Sequence, residues 1–116
     1  MSQEQTAQPT FYMTPTSTRD IAVSFVYTLS GDELLTGTPT VTISSGGPTI
    51  SGAAINSALL KIETPDTPHY AQAGQAITFR ATASGVAVGT YTVTMSCSTV
   101  GGQVIPGYAL IVVQSS

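Results

Sequence analysis

Between Thr90 and Thr99 apolar and hydroxyl side chains alternate without a break: Tyr91, Val93, Met95 and Cys97 take one set of positions, Thr92, Thr94, Ser96 and Ser98 the other. Successive side chains of an extended backbone point to opposite faces, so this period of two marks a strand with one buried and one wet face. Wound into a helix, the same apolar residues would be scattered around the circumference. Any fold for this chain must therefore give the apolar face a second layer to pack on.

The same period recurs along the chain. Ile21, Val23, Phe25, Tyr27 and Leu29 alternate with smaller or polar residues over Asp20 to Leu29, and Val41 and Ile43 do so over Thr38 to Ser44. Ile77, Phe79, Ala81 and Ala83 share one side of Gln75 to Ala83. Turn chemistry separates these runs at Ser30-Gly31-Asp32-Glu33, Ser45-Gly46-Gly47-Pro48 and Gly101-Gly102. The stretch Thr49 to Glu63 is ambiguous, because Ile55, Leu59 and Ile62 fall at helical spacing; its turn-rich flanks favour two short strands. Thr64 to Ala73, with Pro65 and Pro68, reads as a loop. Pro106-Gly107 within Val104 to Gln114 predicts an edge strand or a bulge.

About seven short strands and no helix predict an all-β antiparallel sandwich, with a small closed barrel as the alternative. At 116 residues, 41% of them apolar, the chain has material for one core. The expected division is an extended N-terminal arm over residues 1–15 and a β-sandwich domain over 16–116. The arm is Gln- and Thr-rich around one apolar cluster, Phe11, Tyr12 and Met13.

Only 8% of residues are charged, about a third of the usual share for a soluble protein. Hydroxyl surface costs far less to desolvate than carboxylate or ammonium surface, which suits a protein covered by neighbours; secreted modules share this composition. Arg19, Lys61 and Arg80 are scattered among six acids, so neither nucleic acid nor an anionic membrane surface is an expected partner. A lone cysteine allows no internal disulfide, and Met1 to Thr10 lacks the basic start and apolar stretch of an export signal; synthesis and folding in cytoplasm are expected.

Catalytic and cofactor chemistry finds little to stand on. The single histidine, His69, has Asp66 three residues away in a Pro-rich loop, a pair more simply read as solvated. Asp20, Asp32, Glu33, Glu63 and Asp66 show no metal-ligand spacing, and Asp32-Glu33 reads as a solvated hairpin tip. Cys97 lies on an apolar strand face with no cation beside it in sequence, as a buried, inert thiol does. Tyr70 and Tyr108 are the candidate aromatics for a sugar platform, with no Trp to join them. No catalytic residue, cofactor or metal is expected.

Gly89-Thr90-Tyr91-Thr92-Val93 resembles the corner that leads into the penultimate strand of immunoglobulin-like domains, where a tyrosine precedes an inward residue by two positions. The resemblance implies that Tyr91 closes the corner through a hydroxyl bond to upstream backbone, a structural task; the other reading is a plain core tyrosine. From Ser84-Gly85 through this motif to the final apolar strand, and again at Asp20 to Phe25 and Leu29-Ser30-Gly31-Asp32, the chain is similar to small virion proteins of tailed bacteriophages. The similarity spans residues 19–113 in pattern and lacks the core-strand Trp common in those proteins.

It implies an immunoglobulin-like sandwich in a virion, a non-enzymatic head decoration or cementing protein that contacts the major capsid protein or other virion proteins; separately, strand edges with so few charges to blunt them predict homo-oligomerisation or capture by a partner. A neck or tail accessory protein of the virion is one alternative; a bacterial immunoglobulin-like adhesion or carbohydrate-binding module is the other. On the decoration reading, Phe11, Tyr12 and Met13 anchor the arm on a neighbour, and removing Met1 to Pro15 leaves the sandwich folded but abolishes assembly.

Overall fold

The structure, a computed structural model, describes residues 10–25, 29, 33–62 and 69–115. These form nine strands and no helix: β1 (Thr10–Met13), β2 (Thr18–Ser24), β3 (Leu35–Ile43), β4 (Thr49–Ile55), β5 (Leu60–Ile62), β6 (His69–Ala71), β7 (Ala76–Thr82), β8 (Gly89–Thr99) and β9 (Val104–Val113). They pair into a four-stranded sheet ordered β1-β9-β8-β3, a three-stranded sheet ordered β2-β7-β4 and a small β5-β6 hairpin. All pairs are antiparallel except β1 with β9.

Alternation decides which way each strand faces. Ile21 and Val23 on β2 and Ile77, Phe79 and Ala81 on β7 point inward from one sheet. Val93, Met95 and Cys97 on β8 and Ile105, Ala109, Ile111 and Val113 on β9 point inward from the other, and all belong to one core. The β5-β6 hairpin has a smaller cluster of its own, in which Ile62 and Ala71 pack with Ala76 against the outer side of the three-stranded sheet at Ala22.

Expectation and structure part company at several places. The stretch 49–63 holds two strands, as its turn-rich flanks favoured, but β1 and β6 bring the count of described strands from about seven to nine. His69 to Ala71 pairs with β5 instead of lying in a loop; Pro68 precedes β6 and so removes no donor from its ladder. The strand over 20–29 stops at Ser24: Phe25 N donates to Gln75 O at 2.8 Å, and Leu29 N then turns back to Phe25 O at 3.0 Å. Tyr27 lies outside the described residues.

The boundary at residue 15 does not divide arm from body. Residues 10–13 run parallel to β9, from Thr10 opposite Leu110 to Met13 opposite Val113, and Phe11 and Met13 are core residues of their own chain. Arg19 secures this strand from the side: Nη1 donates to Tyr12 O at 2.8 Å while the guanidinium stands 5.3 Å from the Phe11 ring centroid.

Pro106-Gly107 is no interruption either. β9 runs unbroken between β8 and β1, with Pro106 opposite Ser96 and Gly107 opposite Met95. Among the described residues β1 pairs only with Leu110–Val113, so Pro106 has a described partner strand, β8, on one side alone, the position in a sheet that tolerates a missing N–H. Gly107 is there for room. A Cβ on it would stand 2.9 Å from Phe25 Cε2 and 3.0 Å from Met95 Cγ, and closer still to Phe25 Cζ.

A buried asparagine holds the turns at one end. Asn56 Oδ1 accepts from the backbone N–H of Gly74, Gln75 and Ala76 at 3.0–3.1 Å, and Nδ2 donates to Ala58 O at 3.0 Å and Gln72 O at 2.8 Å. One side chain thus ties the end of β4 to the β6–β7 turn and satisfies polar backbone that burial would otherwise orphan.

Three outcomes follow for urea unfolding. Gly107→Ala is expected to lose about 1–3 kcal/mol by overpacking, read as a lower midpoint at unchanged slope. Asn56→Ala is expected to lose roughly 2–4 kcal/mol, since several buried donors and acceptors lose their partner together. Removing residues 1–9 leaves every described contact in place, whereas removal through residue 15 also strips Phe11 and Met13 from the core and is expected to cost roughly 3–6 kcal/mol; equal stability of the two truncations would contradict the placement of β1.

Candidate interaction surface

Because side chains alternate, the four strands that bury one face must present another. On β8 that outer face is Thr90, Thr92, Thr94, Ser96 and Ser98; on β3 it includes Thr36, Thr40 and Thr42. On β9 it is Val104, Pro106, Tyr108, Leu110 and Val112, with Tyr12 of β1 beside Val112. The strand register sets these as rows: Thr94 lies between Thr42 and Tyr108, Ser96 between Thr40 and Pro106, and Thr92 next to Leu110. An apolar stripe thus borders a field of hydroxyls, with Val104 68% and Tyr12 52% exposed.

No residue of these four strands is charged. The described charges lie elsewhere: Arg19 and Asp20 on β2, Arg80 on β7, Lys61 on β5, and Glu33 ahead of β3. Sequence reasoning took the Thr and Ser positions of β8 only as a wet strand face. The signal was present nonetheless, since no charged residue follows Arg80 in the sequence.

Of the expected anchors, the structure brings Tyr12 to this face and takes Phe11 and Met13 into the core. Tyr91 stands at the start of β8, where its hydroxyl donates to Ala87 O at 2.7 Å and bridges the corner entering the strand. Tyr70 is on the β5-β6 hairpin and Tyr108 on the outer face of the four-stranded sheet, so this expected pair makes no common platform.

The opposite side of the molecule carries the ion pair. Arg80 Nε donates to Asp20 Oδ1 at 2.8 Å across the β2–β7 ladder. This hydrogen bond, then the charge of the guanidinium, hold the Asp20 carboxyl below its ordinary range, and the same partner raises Arg80. Both groups are well exposed, so the pair adds little stability. With Ser51, Thr78 and Leu60 they line an open concavity of about 510 Å³ beneath β5.

Glu33 is not a solvated tip. Its Oε2 accepts from Thr99 Oγ1 at 2.9 Å, and Gln103 N donates to the same hydroxyl at 3.1 Å, which tucks the carboxylate under the β8–β9 turn; Oε1 is buried with no hydrogen bond among the described residues. Asp32, Glu63 and Asp66 lie outside the described residues. Cys97 is buried, its Sγ donates to Thr36 O at 3.4 Å, and burial pushes its thiol pKa up, away from the thiolate that reactivity needs. Among the described residues no three His, Cys, Asp or Glu side chains gather as a metal would require, and no helix is long and apolar enough to cross a membrane.

Compared with known proteins, the chain matches no family model and no curated protein.

Proposed function

We propose that this chain is a non-enzymatic structural protein of a tailed-bacteriophage virion, an immunoglobulin-like sandwich that decorates or cements the head through contacts with the major capsid protein. The observation that carries the assembly reading is the uncharged, exposed face of β1, β9, β8 and β3. A surface of hydroxyls and short apolar side chains can be stripped of water without stranding a charge, which a subunit packed among neighbours requires, whether the neighbour is the shell or another copy of the chain.

The immunoglobulin-like part of the reading draws on two features. One is the sheet order, β2-β7-β4 and β1-β9-β8-β3, in which the chain changes sheet between β1 and β2, β2 and β3, β3 and β4, and β7 and β8; this supports the reading. The hydroxyl of Tyr91 on Ala87 O supplies the corner that the sequence motif implies. The virion setting draws on the resemblance over residues 19–113. Its logic is multivalent: many copies of a modest contact sum to a large stabilisation of a shell.

Co-sedimentation tests the proposal. The purified chain is mixed with emptied heads, and separately with isolated tails, of a phage whose genome carries this sequence, and is also passed over immobilised glycans. Saturable binding to heads, with a raised temperature of head disruption, is the expected result. Binding to tails alone moves the protein to the neck or tail, and retention on glycans with indifference to both particles replaces the proposal with an adhesion module.

A further inference from the structure

We propose that the outer face of the four-stranded sheet is a self-association surface, on which a second copy of this chain stacks face to face. The inference rests on the assembly reading above and deepens it by naming the surface and its first occupant.

Neutral strands usually associate through open edges, but the edges here are blunted. β3 breaks register between Thr36 and Thr40, where Gly37 takes φ +80° and Pro39 removes a donor. β4 does the same between Ser51 and Ala54 at Gly52, with φ +66°. β1 is four residues long and has its Tyr12 carbonyl occupied by Arg19; β2 carries Arg19 and Asp20. The outer face of the three-stranded sheet is partly covered by the β5-β6 hairpin and bears the Asp20–Arg80 pair. What the described residues leave bare is the face of β8, β9, β3 and Tyr12 of β1.

Charge and chemistry select a copy of the same chain. The net charge is −3, so two copies repel at any charged contact, and this face offers them none. A partner recognised by opposite charge would find nothing to read. A hydroxyl both donates and accepts, so rows of Thr and Ser complement themselves as no array of carboxylates or ammonium groups can. A two-fold axis parallel to the strands and midway between β9 and β8 would lay the face on its own copy, each β9 row over the β8 row of the other.

The area suffices. At about 3.4 Å per residue and about 4.8 Å between strands, the face spans roughly 550 Å², so two faces bury roughly 1,100 Å², above the ~1,000 Å² that a specific interface needs.

Sedimentation equilibrium of the full chain is the test. A dimer at about 50 μM is expected for the unmodified protein. Thr94→Lys, at the centre of the face, appears twice in a two-fold contact and is expected to weaken dimerisation more than about a hundredfold. Thr92→Lys on the same strand should act likewise, and Thr49→Lys on β4 should not; unfolding curves establish that each variant is folded. A monomeric parent protein, or a dimer indifferent to both β8 lysines, overturns the inference. So does a monomer that dimerises only after residues 1–9 are removed, since that segment is then the occupant. A monomer that still binds phage heads defeats face-to-face pairing alone; a face-dependent dimer that ignores heads and tails defeats the virion reading alone.

Discussion

Phe25 is fully buried, and its ring reaches from the end of β2 to the bare backbone of Gly107 on β9. The contact joins the two sheets. With a side chain at 107 the ring would be displaced, Met95 would follow, and the layers would part over the middle of the core. Around it Phe11, Phe79, Met13 and Met95 and a set of small or branched aliphatics fill the space this spacing leaves. A glycine that reads as a strand breaker is therefore the condition for packing the sandwich.

That reversal shows what local sequence can and cannot convey. The period over Thr90 to Thr99 is visible because every second residue repeats the same choice, and burial follows it from Val93 to Thr99. Gly107 carries no such pattern; the reason for it lies in Phe25, 82 positions earlier, and only the fold brings them together. Phe11, Tyr12 and Met13 misled for a related reason, since four residues are too few to show a period and their partner strand lies at the other end of the domain. Asn56 could not be singled out among many polar turn residues, because its role depends on backbone donors 18 to 20 positions away.

The candidate surface lay between these cases. Thr92, Thr94, Ser96 and Ser98 of β8 were placed on the wet side of a strand, but a surface is a property of neighbouring strands, and the order β1-β9-β8-β3 is not written in any one of them. The uneven distribution of charge becomes meaningful only with that order. One sheet collects the ion pair, the other none, so the molecule has one side suited to water and one suited to being covered.

The parallel pairing of β1 with β9 has a further consequence, one of timing. Thr10 and Leu110 are separated by about a hundred residues, which at roughly 5–20 residues per second means that β1 leaves the ribosome some 5–20 seconds before its partner exists. Through that interval Phe11 and Met13 have no place to go, and β2, β7 and β4 can assemble without them. The first described strand is among the last to be seated, and the growing chain carries the uncovered apolar cluster Phe11, Tyr12 and Met13 that any chaperone waiting near the exit would be able to hold.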